Sequence, residues 1–174
     1  IEQAEFLMQG TVDMANDQTM DLKFSGQKPN FDLFLAFIPP ELSPLVKRYE
    51  NGGSVYFEAD VTGPSNGTAP HIEVEFGCRE AFIENIAVEK AVNDLYFKGH
   101  FTNGAANDLT TMAVSIEDFT ARPETGTFKG NISVENFESP DIDMQVNADF
   151  NLDFLTAFFE LDQLEDVTGK VSLD

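Results

Sequence analysis

The sequence predicts a mainly β protein, an antiparallel meander of about ten strands with two short helical connections. Three observations carry this expectation. Apolar and polar residues alternate with a period of two in run after run, the mark of a strand with one covered and one wet face. Most links between the runs are short and built from turn-forming residues, and short links join antiparallel neighbours. The two long links each contain the same nine-residue phrase at helical spacing, Asn30–Ile38 and Asn151–Phe159, with Asn, Asp, Ala and Phe identical.

Taken in order, Phe6, Met8, Gly10 and Val12 form the apolar side of a first strand, and Met20, Leu22 and Phe24 that of a second, with Asn16-Asp17 as the turn. Asn30 then suits a helix N-cap, Phe31, Phe34, Leu35 and Ile38 follow at helical spacing, and Pro39-Pro40 stops the helix. A further helical turn is expected around Leu45, Val46 and Tyr49, ended by Gly52-Gly53. Val55, Phe57, Ala59 and Val61 alternate with Tyr56, Glu58, Asp60 and Thr62, and the Gly63–Gly67 turn leads to Ile72, Val74, Phe76 and Cys78. Ala81–Val88 is a less regular run, expected as a strand of its own. Next come Leu95, Phe97, Gly99 and Phe101, then Met112, Val114 and Ile116, then Phe128, Gly130, Ile132 and Val134. Asn103-Gly104 and Pro123 to Gly126 supply turns between them, and Ser139-Pro140 leads into the next run. Ile142, Met144, Val146, Ala148 and Phe150 alternate with Asp141, Asp143, Gln145, Asn147 and Asp149. Asn151 caps the second helix, carried by Leu152, Leu155 and Phe159, with Leu161 and Leu164 before a last strand that follows Gly169.

The two copies of the phrase stand 151 − 30 = 121 residues apart. The chain is therefore expected to be one domain, 1–174, cut from a longer repetitive protein: a first unit of about 20–143 and a second, truncated unit of about 144–174. A net charge of −21 and a pI near 4.1 exclude nucleic acid as a partner and disfavour direct docking on an anionic membrane. An acidic, solvated skin explains that charge without any specific basic partner.

No catalytic pattern emerges, so a non-enzymatic protein without cofactor or metal is expected. There is no nucleophile elbow, phosphate loop, zinc-helix motif or EF-hand loop. The carboxylates fall on the wet side of the strands, where nothing tunes their acidity. His71 and His100 occupy polar positions and are expected as ordinary exposed histidines, and Cys78, the single cysteine, as a small buried hydrophobe. Asp141 and Asp143 suggest at most a weak calcium site. Asn66-Gly67-Thr68 and Asn131-Ile132-Ser133 are sequons, relevant only in a glycosylating pathway.

What needs explaining is the apolar side of the meander. Seventeen Phe residues imply extensive apolar surface, and soluble monomers rarely leave such a face in water. Either the sheet folds back on itself or a ligand fills the trough. Gly10, Gly99 and Gly130 in the apolar rows permit strong curl or close approach.

The runs Leu95-Tyr96-Phe97-Lys98-Gly99-His100-Phe101-Thr102-Asn103-Gly104 and Gly126-Thr127-Phe128-Lys129-Gly130-Asn131-Ile132-Ser133-Val134 resemble the AsmA-like family of bacterial envelope proteins, close to its TamB-type relatives. Asn136-Phe137, Pro140-Asp141-Ile142 and the strand, short helix, Gly-led strand unit extend the resemblance over most of the chain. It implies a meander curled into an open groove or half-barrel, in a periplasmic protein anchored in the inner membrane by a tether outside this segment. It also implies phospholipid acyl chains as partners, neighbouring repeat segments on either side, and a role in phospholipid transport to the outer membrane or in its maintenance. The groove floor would be Phe57, Val61, Val74, Phe76, Phe97, Phe101, Val114, Ile116, Phe128, Ile132, Val134, Met144, Val146 and Phe150. The alternative expectations are a β-sandwich binding or adhesion module, or an architectural spacer, of a secreted or surface protein.

Overall fold

A computed structural model describes residues 5–15, 18–28, 30–31, 48–124, 126–160 and 170–173. The described residues form nine strands in one antiparallel sheet, each strand beside its neighbours in sequence. They are β1 (Glu5–Val12), β2 (Thr19–Lys28), β3 (Tyr49–Pro64), β4 (His71–Asn85), β5 (Lys90–Thr102), β6 (Ala113–Pro123), β7 (Gly126–Glu135), β8 (Asp141–Asn151) and β9 (Lys170–Leu173). A helix, α1 (Leu152–Phe158), separates β8 from β9. The sheet is open: β1 and β9 are its two edges and do not pair. No second sheet lies against it among the described residues, so the two-layer sandwich that the same alternation permits is not formed there.

The strand count falls one short of the expected ten because Ala81–Asn85 is not a separate strand. It continues β4 beyond a bulge, and residues 86–89 make the turn into β5. The same cause lengthens three other strands. β3 begins at Tyr49, β5 at Lys90, and β6 runs on to Pro123, each past an interruption of its ladder. At these interruptions sit Gly53, Glu80, Asp94 and Asp118, with φ of 123°, 50°, 50° and 53°. A left-handed residue inserted in a strand breaks the period of two. In β4, β5 and β6 the inward side changes from even to odd numbers or back across the bulge: Cys78 to Ala81, Val92 to Leu95, Ile116 to Phe119. The expected helical turn at Tyr49 is corrected by the same observation. Tyr49 and Gly52-Gly53 belong to β3, and Gly53 is required there because a Cβ would collide with the backbone of Ala81.

Of the two expected helices, the first, expected over Asn30–Ile38, lies outside the described residues from position 32 onward, as do Leu161 and Leu164 of the second link. The second is α1, and Asn151 caps it as expected: its Oδ1 accepts the backbone N–H of Asp153 at 3.1 Å. Asp153 adds a favourable carboxylate in the first turn. The carbonyl oxygen of Phe158 accepts hydrogen bonds from Tyr49 Oη and Asn85 Nδ2, both at 2.9 Å. Thus the helix leaves β8 and is fastened at the start of β3 and the end of β4.

The core sits at this same end of the sheet. Val55, Cys78, Ala81, Leu95 and Ala121 are buried, with Phe31, Ile83, Val92, Phe97, Phe119 and Phe128 packed round them. Phe76, Phe97, Phe119 and Phe128 form a chain of ring contacts from β4 to β7, with centroids 6.2, 6.4 and 5.5 Å apart. Such pairs contribute about 0.5–1.5 kcal/mol each beyond their buried area. Phe154 and Phe158 of α1 are buried and stacked at 5.3 Å.

Two stability predictions follow from the bulges and the uneven core. Leu95→Ala should cost about 2–4 kcal/mol, whereas Ile142→Ala, at a residue 60% exposed, should stay within about 0.5 kcal/mol; urea denaturation separates the two. Glu80→Gly should gain about 0.5–1 kcal/mol by relieving a left-handed residue, and Glu80→Val should lose at least as much.

Candidate functional site

The pairing register assembles the apolar side chains into two rows that cross the sheet. One runs Met8, Phe24, Ala59, Val74, Phe101, Val114, Val134, Ile142, directly opposite one another from β1 to β8. The next, two residues along each strand, runs Phe6, Gly26, Phe57, Phe76, Gly99, Ile116, Ile132, Met144. Where glycine interrupts the second row, an aromatic ring fills the gap: Phe57 and Phe6 lie over Gly26, and Phe76 lies over Gly99. The row therefore remains apolar across both glycines.

Twelve of the fourteen residues expected as the floor are half-buried: Phe57, Val61, Val74, Phe76, Phe97, Phe101, Val114, Ile116, Phe128, Ile132, Val134 and Val146. Met144 is 64% exposed, and Phe150 pairs with Gly126 and Val171 in the ladder. They do not form one uniform surface. Phe97 and Phe128 pack on the core at the α1 end, whereas Val74, Phe76, Phe101, Val114, Ile116, Ile132 and Val134 lie in the two rows. Val61, opposite Leu22 and Ile72, extends the face beyond them. Phe6, Met8, Phe24, Ala59 and Ile142 also belong to the rows, and the alternation that places them there was visible in the sequence. Phe119 was not legible, because the Asp118 bulge moves it to the apolar side.

The opposite face is polar and ion-paired. Lys23 meets Asp60 at 2.6 Å, Lys98 meets Asp118 at 3.0 Å, and Arg122 meets Asp94 at 2.7 Å. The hydrogen bonds they donate to Asp60 and Asp118 hold the Lys23 and Lys98 ammonium groups above their ordinary pKa. All these groups are solvated, where ion pairs contribute little to stability. A hollow of about 780 Å³ opens among Tyr96, Asp118, Thr120, Lys129, Asn131 and Gln145, beside the last bulge. It brings together no catalytic constellation: Asp118 is paired with Lys98, and Asn131 Oδ1 accepts the Asp118 N–H at 3.0 Å.

Cys78 is fully buried and its Sγ lies 3.6 Å from the Leu95 carbonyl oxygen; burial pushes the thiol up to about 11. It is a packing residue. His71 is more engaged than expected for an exposed histidine. Nδ1 lies 3.2 Å from both the Gly104 carbonyl oxygen and Asn107 Oδ1, and Nε2 lies 3.3 Å from Glu73. The Glu73 hydrogen bond raises its pKa above 6.5 against burial, which lowers it, with further help from Asn107 and Gly104. These contacts tie the start of β4 to the 103–111 turn. That turn is further held by Asn103, whose Oδ1 accepts the Ile72 N–H and whose Nδ2 donates to the Pro70 carbonyl, both at 2.8 Å.

Among the described residues no three His, Cys, Asp or Glu side chains converge as a metal site, and no helix is long and apolar enough to cross a membrane. No protein-family model, curated protein or solved structure matches the chain.

Because the folded state raises the His71 pKa, its contribution to stability is present below about pH 6.5 and fades as pH rises through the folded value. An NMR titration should place the His71 midpoint above 6.5, and Glu73→Gln should move it down. His71→Gln should flatten the loss of stability as pH rises above about 6.5, by no more than a few tenths of a kcal/mol for so exposed a group.

Proposed function

We propose that the chain is a β-groove segment of an AsmA-like, TamB-related envelope protein that carries phospholipid acyl chains on its apolar face. The observation that supports it is the pair of apolar rows running from β1 to β8 with no second layer of protein over them among the described residues. A face of this width is unusual on a soluble monomer and calls for an apolar occupant.

The attachment of α1 supports the curl that a groove requires. On a flat sheet β4 lies four strand spacings, about 19 Å, from β8. The seven-residue helix spans about 10 Å, yet its last carbonyl reaches Asn85 of β4. Drawing β8 toward β4 in this way would make the apolar side concave. The packed core would close the trough at the α1 end, leaving the two rows for hydrocarbon.

Burial of a methylene yields about 0.8 kcal/mol, and a floor of Phe, Val, Ile and Met offers nearly the same burial at each step along a row. A tail could therefore slide without a large barrier, with its head group outside. The segment would act in the periplasm, between an inner-membrane tether and further groove segments, in transport of phospholipid to the outer membrane or in upkeep of that membrane. No catalytic role is assigned to any residue.

Solvent extraction of the purified protein followed by mass spectrometry tests the reading, with co-purifying phospholipid as the expected result. Val134→Arg and Val146→Glu place a charge in the floor and should reduce recovered lipid several-fold in protein whose circular dichroism matches wild type. Lipid-free wild-type protein, or undiminished lipid in a folded variant, would favour a ligand-free spacer.

A further inference from the structure

We infer that the hollow on the wet face of β5 to β8 is a binding site for a neutral oligosaccharide. It lies on the opposite side of the sheet from the apolar rows, so the inference goes beyond the proposed lipid carriage and does not depend on it. The lining side chains belong to a face of the sheet and not to an edge, so strands added beyond either edge would border the hollow without covering it.

The Asp118 bulge builds the site. Ile116 pairs with Ile132 and Phe119 with Gly130, so two residues of β6, Glu117 and Asp118, stand against Asn131 alone. A bulge bends its strand, and two hollows meet at this one. The larger, of about 780 Å³, reaches from Tyr96 to Asn147, and the second, of about 330 Å³, adds Ser115, Ser133 and Asp143. Both include Asp118 and Asn131, so they form one trough. From Lys129 to Ser133 it runs about 13 Å along β7, long enough for a short chain of sugar rings.

What distinguishes the trough is the polar groups left over in it. Elsewhere the cations are taken: Lys23, Arg48, Lys90, Lys98 and Arg122 each pair with a carboxylate. Acidic residues outnumber basic ones by 31 to 10, yet Lys129 pairs with no carboxylate among the described residues. Thr120 and Gln145 likewise make no side-chain hydrogen bond among them. Asn131, whose Oδ1 accepts the Asp118 N–H, keeps its Nδ2 donor. Hydroxyl, ammonium and carboxamide groups thus line one trough, donors and acceptors mixed.

That mixture selects the class of ligand. An apolar molecule would strip water from these groups without replacing its hydrogen bonds. An anion meets Glu117, Asp143 and a net charge of −21, and a cation meets Lys129. The hydroxyls of a neutral sugar both donate and accept, so they can serve carboxamide, hydroxyl and ammonium alike. Half-buried Tyr96 adds an aromatic body for the apolar C–H side of a sugar ring. Its hydroxyl is hydrogen-bonded to Lys98, which Asp118 holds in turn, so Tyr96 is positioned before a ligand arrives.

A backbone-amide NMR titration of the 174-residue chain tests this, with cellotriose, chitotriose and mannotriose each added to about 20 mM. At least one of these neutral trisaccharides should give saturable shifts at Thr120, Lys129, Asn131 and Gln145. Trigalacturonic acid and glycerol should give none. Lys129→Ala and Gln145→Ala, at exposed side chains, should each weaken binding about 3- to 10-fold, and Tyr96→Ala should weaken it further. Val134→Arg, on the other face, should leave sugar affinity unchanged even where it lowers recovered lipid, so the two readings fail separately. No saturable shift with any of the three sugars, or shifts centred elsewhere, would overturn the inference. So would an equal response to trigalacturonic acid or glycerol, or undiminished affinity in both exposed variants.

Discussion

The register of the ladder is the constraint on which the rest of this structure depends. Side chains alternate faces along a strand, so a slip of one residue anywhere between β1 and β8 would send an apolar run into water and a carboxylate run against the core. The rows hold across eight strands because most of the turns between them are short and because both faces penalise a slip. On one side Val74, Phe101, Val114 and Val134 stand opposite one another. On the other, Lys23 finds Asp60 across the ladder, and Lys98 finds Asp118 beside the bulge of the neighbouring strand.

The bulges do not contradict that constraint. Gly53, Glu80, Asp94 and Asp118 fall on four consecutive strands, and in β4, β5 and β6 the extra residues change parity so that apolar side chains stay inward beyond the bulge. Bulges also bend a strand and increase its twist. A band of them across neighbouring strands therefore separates the sheet into two regions. Beyond it, toward α1, Ala81, Leu95 and Ala121 are small or well covered and make a dry core. Before it, the rows stay half-buried or open.

This division explains what the sequence disclosed and what it concealed. The upper rows were legible because their alternation is uninterrupted: Ile142, Met144, Val146 and Ala148 are separated by polar residues without exception. The cap at Asn151 was legible because its chemistry is local. The bulges were not, since Glu80, Asp94 and Asp118 stand among 31 acidic residues and nothing nearby marks these three for a left-handed backbone. Ala81–Asn85 then resembled a separate strand and Phe119 a residue without a face. The hydrogen bonds of Phe158 to Tyr49 and Asn85 were hidden for another reason: they join residues more than seventy positions apart, and only the assembled ladder brings them together.

The acidity and the greasy face belong to one design problem. A half-covered apolar surface promotes association of any two copies that meet, and hydrophobic attraction has no preferred orientation. A charge of −21 sets a repulsion that acts over about 10 Å at 0.1 M salt and falls off beyond it. Face-to-face collapse of two sheets would bring both charged skins and their rims within that range at once. The charge thus opposes the face-to-face collapse that the apolar rows would otherwise allow.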